Sequence, residues 1–430
     1  MKRLCLLILI FICVASVFGL MGCWDAREID RRAFIFAMGI DLEAGGLYRI
    51  SAIAINGGSQ QSSGGVAVAA ASGSAVAAAR GDAVAAASAS AVVAASASAA
   101  TTGDTAPKVP VLVAHGRTIA ESMEALVSIS ARIIDLGNLR SIILGETLSR
   151  QGVNDVVRAV LADPRTPADV ILFQAQGSAE AIIRSEPNGE EHLQAWLDHY
   201  RTKSILDTPA QYFVPAWQFR SHLINPGQDA YLGAITLITR PENDASGAGE
   251  NMSDNDTDTT TSQPQPQPQP TLGGIAVFKG DRLRGFLNEE QTTAFSWMSG
   301  KAGGRVVVSS PKAPNQLTTI RVTAMRHELT VSNHKSAAPV LNVKLRVTGA
   351  VNSANSLPEL ASLTAAQVKK QVAATASILQ TDFSADLLGF GELARRAAPF
   401  DWQPDTWEKQ WTKASWNIFV DVSIQTFGRF

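Results

Sequence analysis

Two stretches of this chain hold almost nothing that a folded interior can bury. Residues 59–105 run in Ala, Ser, Gly and Val with almost no charge and no aromatic ring. Residues 241–271, PENDASGAGENMSDNDTDTTTSQPQPQPQPT, are acidic, then polar, then Gln-Pro repeated. Segments without large apolar side chains cannot offset the conformational entropy lost on ordering. The first is therefore read as a disordered insertion in a loop between strands, with a weak helix as its other reading because of its alanine. The second is read as an extended linker, since Gln-Pro repeats favour a polyproline conformation rising about 3.1 Å per residue. A surface excursion whose flanking strands stay paired is the alternative for it. The foldable sequence then falls into residues 23–240 and 272–430 of a 430-residue chain, enough for two or three domains of roughly 100–200 residues each.

Residues 1–22 precede both regions. Lys2 and Arg3 are followed by an apolar run over 4–18 and then small residues, the layout of a secretory signal peptide. A run of about 15 residues is short of the roughly 20 that a spanning helix needs; counted on to Met21, it would serve as a signal anchor. Leu20, Met21, Gly22 and Cys23 resemble the bacterial lipobox, in which diacylglycerol is attached to a cysteine thiol. The reaction needs cysteine because a thiolate is the nucleophile, and two acyl chains hold a protein to a bilayer where one is marginal. The other reading makes Cys23 a small side chain beside an ordinary cleavage site. Of 3 cysteines, Cys5 and Cys13 would leave with the signal, so no intrachain disulfide or cysteine-rich metal site is expected. A net charge of -2 with 18% charged residues argues against nucleic acid or anionic lipid as a dominant electrostatic partner.

Within 23–240, two apolar strands at 33–41 and 47–55 flank Gly45 and Gly46, a hairpin pattern. Ile119, Met123, Leu126 and Ile129 share one helical face. Strands follow at 141–144 and 169–174, helices over 152–161, 190–206 and 209–223, and a last strand in YLGAITLIT. Such alternation predicts a mixed sheet covered on at least one face. Within 272–430, two short strands flank the turn KGD, and Asn288 with Gln291 makes a capping box at a helix start. Strands are predicted over 305–309, 318–331 and 340–351. Val368, Val372, Ala376, Leu379, Phe383 and Leu387 then line one face of a long helix before a closing strand, WNIFVDVSIQTFG. The predicted fold class is α+β or mixed α/β and multi-domain: an N-terminal mixed sheet, then a C-terminal antiparallel sheet with a long covering helix.

A search for chemistry returns little. His192 and His199, seven apart on a predicted helix, belong to no H-E-x-x-H pattern; His327 and His334, also seven apart, would point to opposite faces of a strand. No P-loop, no G-x-S-x-G elbow and no G-x-G-x-x-G after a strand is present. Glu289 and Glu290 sit in a first helical turn, where carboxylates favour the helix dipole. Trp407 and Trp411, at i and i+4 near Trp402, read as core or as an exposed interaction face, core being the commoner outcome.

The segment CWDAREIDRRAFIFAMGID resembles the opening of the Ger(x)C family of spore germination lipoproteins, the C subunits of nutrient germinant receptors in endospore-forming bacteria. Cys23, Trp24, Asp25, Glu28, Ile29, Gly39, Ile40 and Asp41 stand at its motif positions. HGRTIAESMEAL is similar to the family's Gly-x-Thr-Ile segment, through Gly116, Thr118 and Ile119. GGIAVFKGDRLRGFLNEEQT is similar to a third segment, through Ala276, Val277, Phe278, Lys279, Leu283, Gly285, Leu287 and Asn288, with Gln291 where glutamate is common. Both low-complexity stretches are departures from the family pattern. The resemblance implies a multi-domain lipoprotein on the outer face of the spore inner membrane, bound to the bilayer through an acylated Cys23. It further implies assembly with two integral membrane subunits, one permease-like, that release ions when nutrients bind. No catalytic residue, cofactor, metal or nucleic acid is implied. Trp24, Asp25, Gly39, Asp41, Gly116, Phe278, Gly285, Leu287 and Asn288 become candidates for structure or interface. A solute-binding lipoprotein of a transporter is the alternative, and it would need two similar lobes around a cleft. A lipid-tethered hydrolase would need a nucleophile and base that the sequence does not offer.

Overall fold

A computed structural model describes residues 31–56, 109–202, 210–239, 268–310, 313–352 and 356–426. The hairpin stands where its pattern places it. β1 (Arg32–Leu42) and β2 (Tyr48–Asn56) pair antiparallel with Asp41 opposite Arg49. The turn closes with Glu43 N–H donating to Leu47 O at 2.9 Å, and Gly45 and Gly46 take φ of +96 and +79, which only glycine adopts without strain. β3 (Val111–Gly116) pairs with β2. The Ala-rich tract, which lies outside the described residues, therefore joins two neighbouring strands.

Next come α1 (Ile119–Ile129), β4 (Ile133–Asp135), β5 (Ser141–Leu144), α2 (Glu146–Gln151), α3 (Asn154–Ala162) and β6 (Ile171–Ala175). After them follow α4 (Ala179–Ile183), α5 (Leu193–Thr202), β7 (Val214–Pro215), α6 (Ala216–Ile224) and β8 (Tyr231–Ile238). The helix expected over 209–223 begins only at Ala216, because Val214 and Pro215 pair with Leu172 and Ile171 of β6. A residue before proline is held in extended backbone, and Pro215, with φ -62, then opens the helix.

β9 (Gln269–Lys279) and β10 (Arg282–Leu287) complete this first sheet, in the order β10-β9-β8-β6-β5-β1-β2-β3 with β4 beside β1 and β7 beside β6. Its centre is parallel and its two ends are antiparallel. Every residue of β5 and β6 is buried, as expected of parallel strands covered on both faces. One covering layer holds α4 and α5; α1, α3 and α6 belong to the main core. Residues 272–430 are divided between two sheets: β9 and β10 belong to this first one, and the later strands form a second. β8 and β9 pair from Tyr231 opposite Val277 to Ile238 opposite Gln269, so the strands flanking the polar 241–271 stretch are held together.

α7 (Glu289–Met298) leads to a second sheet of β11 (Arg305–Ser310), β12 (Ala313–Ser332), β13 (Val340–Val351) and β14 (Ser415–Thr426). α8 (Leu357–Thr381), α9 (Phe390–Ala397) and α10 (Pro404–Trp411) lie between its last two strands in sequence. Val368, Val372, Ala376 and Leu379 of α8 are fully buried. Phe383 and Leu387 continue the pattern beyond the helix end at Thr381. The expectation of an antiparallel sheet holds for β11, β12 and β13; β14 runs parallel to β13. A helical crossover returns the chain to the same end of the sheet, and only a parallel pairing fits that return. Trp407 and Trp411 are core: Trp411 is 2% exposed, and its ring meets Trp416 at 5.7 Å and Trp407 at 6.4 Å.

Candidate functional site at the seam between the sheets

Gly39 and Asp41 lie two apart on β1 and face the same side of the sheet, toward α4. A Cβ on Gly39 would stand 2.6 Å from Ser51 Oγ and 3.1 Å from Ala179 Cβ, so glycine is what allows α4 to lie against the strand. Asp41, buried, accepts the backbone N–H of Ala179 and of Glu180, both at 2.8 Å, and the Ser178 hydroxyl at 3.1 Å. It satisfies donors that a helix start leaves open. Arg49, opposite on β2, lies 3.7 Å from Asp41, 2.9 Å from Glu43 and 3.1 Å from Glu180. The carboxylate is buried with both oxygens engaged, which suits an anchor.

Gly116 does the same work for α1. A Cβ there would lie 2.5 Å from Ser122 N and 2.9 Å from Glu121 C, both backbone atoms. Thr118 caps that helix by accepting Glu121 N–H at 3.1 Å, and Arg117 N–H donates to the Glu121 carboxylate at 2.8 Å. Because backbone cannot rotate away, Gly116→Ala forces α1 off β3 and is expected to cost about 1–3 kcal/mol. A shift of the urea midpoint at constant slope measures it, and an unshifted midpoint would show that α1 rides freely.

The third motif builds the seam itself. Ala276, Val277 and Phe278 are fully buried, with the Phe278 ring edge-on to Phe219 at 5.1 Å. Gly285 passes beneath Phe383, whose Cε1 would be 2.7 Å from an added Cβ. Leu287 is buried, and Asn288 and Gln291 exchange the two capping bonds at 2.9 Å each. Lys279 donates to Asp229 Oδ2 at 3.1 Å and lies 3.4 Å from Glu408 of α10. The same Asp229 oxygen accepts Asp386 N–H at 2.8 Å, and Asp229 N–H donates to Asp386 O at 2.9 Å.

Asp386 is buried and accepts three backbone N–H groups, from Gly389 at 2.9 Å, Phe390 at 3.1 Å and Gly391 at 2.7 Å. Burial outweighs those donors and, with the Asp229 carboxylate adding to it, pushes the Asp386 pKa up to about 7. Beside it, Gly227 O accepts Glu392 N–H at 2.9 Å, and Gln228 donates to Leu387 O at 3.0 Å. A Cβ on Gly227 would come within 2.7 Å of Glu392 N. The segment leading into β8 is thus stitched to the one leading into α9.

Of the motif residues, the structure brings Phe278, Lys279, Gly285 and Leu287 to this seam and places Gly39, Asp41 and Gly116 at helix contacts within the first sheet. Cys23, Trp24 and Asp25 lie outside the described residues. Asp229, Asp386, Glu408 and Gly227 were not singled out by sequence; only Lys279, inside a recognised segment, pointed toward them. The histidines do not converge. His192 is half-buried, its pKa held below the usual value by burial, and His199 contacts Glu190. His327 is on β12 and His334 lies beyond its end. Among the described residues no group of three or more His, Cys, Asp or Glu side chains is placed to hold a metal ion.

Two family models match in order along the chain. Residues 82–237 match the "Spore germination protein N-terminal domain", and residues 273–428 match "Spore germination B3/ GerAC like, C-terminal". The chain belongs to the Ger(x)C family. Similar proteins include "Putative spore germination protein YfkR" of Bacillus subtilis (strain 168), 24% identical over 332 residues, 76% of this chain and 68% of that protein. "Spore germination protein B3" of the same organism is 20% identical over 425 residues, 95% of each. The crystal structure of the GerBC protein aligns over 66% of this chain and 78% of that one, at 15% identity and a TM-score of 0.49. One Ger(x)C model ends within β8 and the next begins within β9, so two regions separate in sequence share a single sheet.

Proposed function

We propose that this Ger(x)C chain is the lipid-anchored C subunit of a nutrient germinant receptor and works as a non-catalytic scaffold. Diacylated Cys23 holds it to the outer face of the spore inner membrane, where it joins two integral membrane subunits, one permease-like. The observation that carries this reading is the pair of spore-germination family models matching in order over residues 82–237 and 273–428. Two features are in keeping with a scaffold: the buried carboxylates of Asp41 and Asp386 are bonded to backbone donors, and the two sheets are unlike, as a two-lobed solute receptor would not be. A tether raises the local concentration of a subunit beside its membrane partners without any added contact.

Detergent extraction of spore membranes, pull-down of the tagged chain and mass spectrometry of partners and N-terminal peptide test this. Two polytopic germination subunits and a diacylated Cys23 are expected. Recovery of transporter components instead would move the chain to the solute-binding class. Cys23→Ala is expected to release the chain from the membrane or strand it as precursor; full retention would mean an uncleaved signal anchor.

A further inference from the structure

Among the described residues, the second sheet is covered on one face only. Inward side chains of β11 to β14 meet α8 and its neighbours, while the alternate residues of all four strands face outward. That outer face is basic. Arg305, Arg321, Arg326, Lys344 and Arg346 lie on it, against two carboxylates, Glu328 and Asp421. Overall charge, -2, conceals this segregation. Arg326 and Arg346 stand directly opposite each other across β12 and β13, an arrangement that like charges disfavour, and both are exposed. Asp421 is next in register to Arg346 on β14, yet among the described residues neither arginine makes an ion pair within 4.0 Å. Phe419 and Val307, 58% and 48% exposed, stand on the same face.

We infer that this face docks on an anionic phospholipid surface. Strands about 4.8 Å apart distribute these cationic groups over three neighbouring strands, β11 to β13, and such an array suits many mobile headgroups better than one fixed counter-surface. Cations attract the headgroup charge, while Val307 and Phe419, on the two edge strands β11 and β14, can enter the interfacial layer. This contact is separate from acylation of Cys23 and would orient the folded chain, which a lipid tether alone does not do.

The test uses the full chain with Cys23→Ser, so that no acyl chain contributes, and vesicles of phosphatidylcholine with or without one-third phosphatidylglycerol. Any insertion of the N-terminal apolar segment is common to both vesicle types, so the ratio between them reads the charged face. Anionic vesicles should be preferred by at least tenfold at low salt, with the preference fading as salt rises. Each basic residue at such a surface contributes about fivefold, so Arg326→Glu with Arg346→Glu should reduce anionic binding by at least about 25-fold. The thermal midpoint should fall only slightly, since both side chains are exposed and the change replaces one like-charged pair by another beside Asp421. Lys369→Glu with Lys370→Glu makes the same charge change on the exposed side of α8, across the sheet, and should alter binding by less than about threefold. Equal losses in the two double variants, or no preference for anionic vesicles, overturns the inference. If the Arg326 and Arg346 variant keeps vesicle binding but loses a protein partner in the pull-down, the face belongs to an acidic protein surface instead.

Discussion

Truncating Asp41 to alanine is expected to lower the unfolding free energy by about 3–5 kcal/mol, read as a lower urea midpoint at unchanged slope. The loss comes from what stays behind. Ala179 N–H and Glu180 N–H keep their positions at the start of α4 with nothing to accept them, and each buried orphan donor costs about 1–3 kcal/mol. Arg49 also loses Asp41, the most distant of its three carboxylates at 3.7 Å. Asp41→Asn retains one acceptor oxygen and turns an amide N–H toward a second donor, so it should recover only part of the loss. A Cβ on Gly145 would come within 2.1 Å of Asp41 Oδ1, which shows how closely the loop after β5 covers the carboxylate. An effect below about 1 kcal/mol would mean that α4 is held by its apolar side alone.

Asp386 carries the second large effect, one written in pH. Its pKa rises from 3.8 in the free side chain to about 7 in the fold. Between those values the folded chain binds more protons than the unfolded one, so stability falls as pH rises across this window. The contribution is complete below about pH 4, is lost progressively up to about pH 7, and changes no further above it; its full size is on the order of 4 kcal/mol. His192 and His222, whose pKa values burial lowers, act the other way, because the cost of keeping them neutral disappears as pH rises to about 6.5. The difference between wild type and Asp386→Asn isolates the carboxyl group. Across pH 4 to 7.5 the variant should lose stability relative to wild type at the acid end and regain it toward neutrality. A flat difference curve would mean that the three backbone donors hold Asp386 ionised throughout.

Much of this architecture is legible in local pattern. The β1–β2 hairpin, α1, β5, β13 and the capping box at Asn288 each rest on residues within a few positions of one another, where periodicity and turn chemistry are strong. What escaped is non-local. The pairing of β9 with β8 across the polar stretch stands in the sequence only as the alternative, since nothing near residue 272 decides for it, and nothing in WNIFVDVSIQTFG distinguishes parallel from antiparallel partners. The helix expected over 209–223 is present from Ala216, and Pro215 with a two-residue pairing to β6 sets its start. The seam is the clearest case. Lys279, Asp229, Asp386 and Glu408 are joined by distances of 2.8 to 3.4 Å, yet they span much of the chain, so only Lys279 carried a local signal. Motif glycines were readable as positions and not as reasons; the reasons are a Ser51 hydroxyl, a turn of helix and the edge of a Phe383 ring.

The pairing of β2 with β3, and of β8 with β9, has an evolutionary consequence. Each pair fixes both ends of the segment between its strands, so what lies between can lengthen or shorten without altering any register in the sheet. Closing a longer loop costs only about 0.6 kcal/mol for each doubling of its length. Replication slippage in alanine codons or Gln-Pro repeats therefore meets little resistance from the fold, and these two segments can drift in length among close relatives while the rest of the chain stays in step.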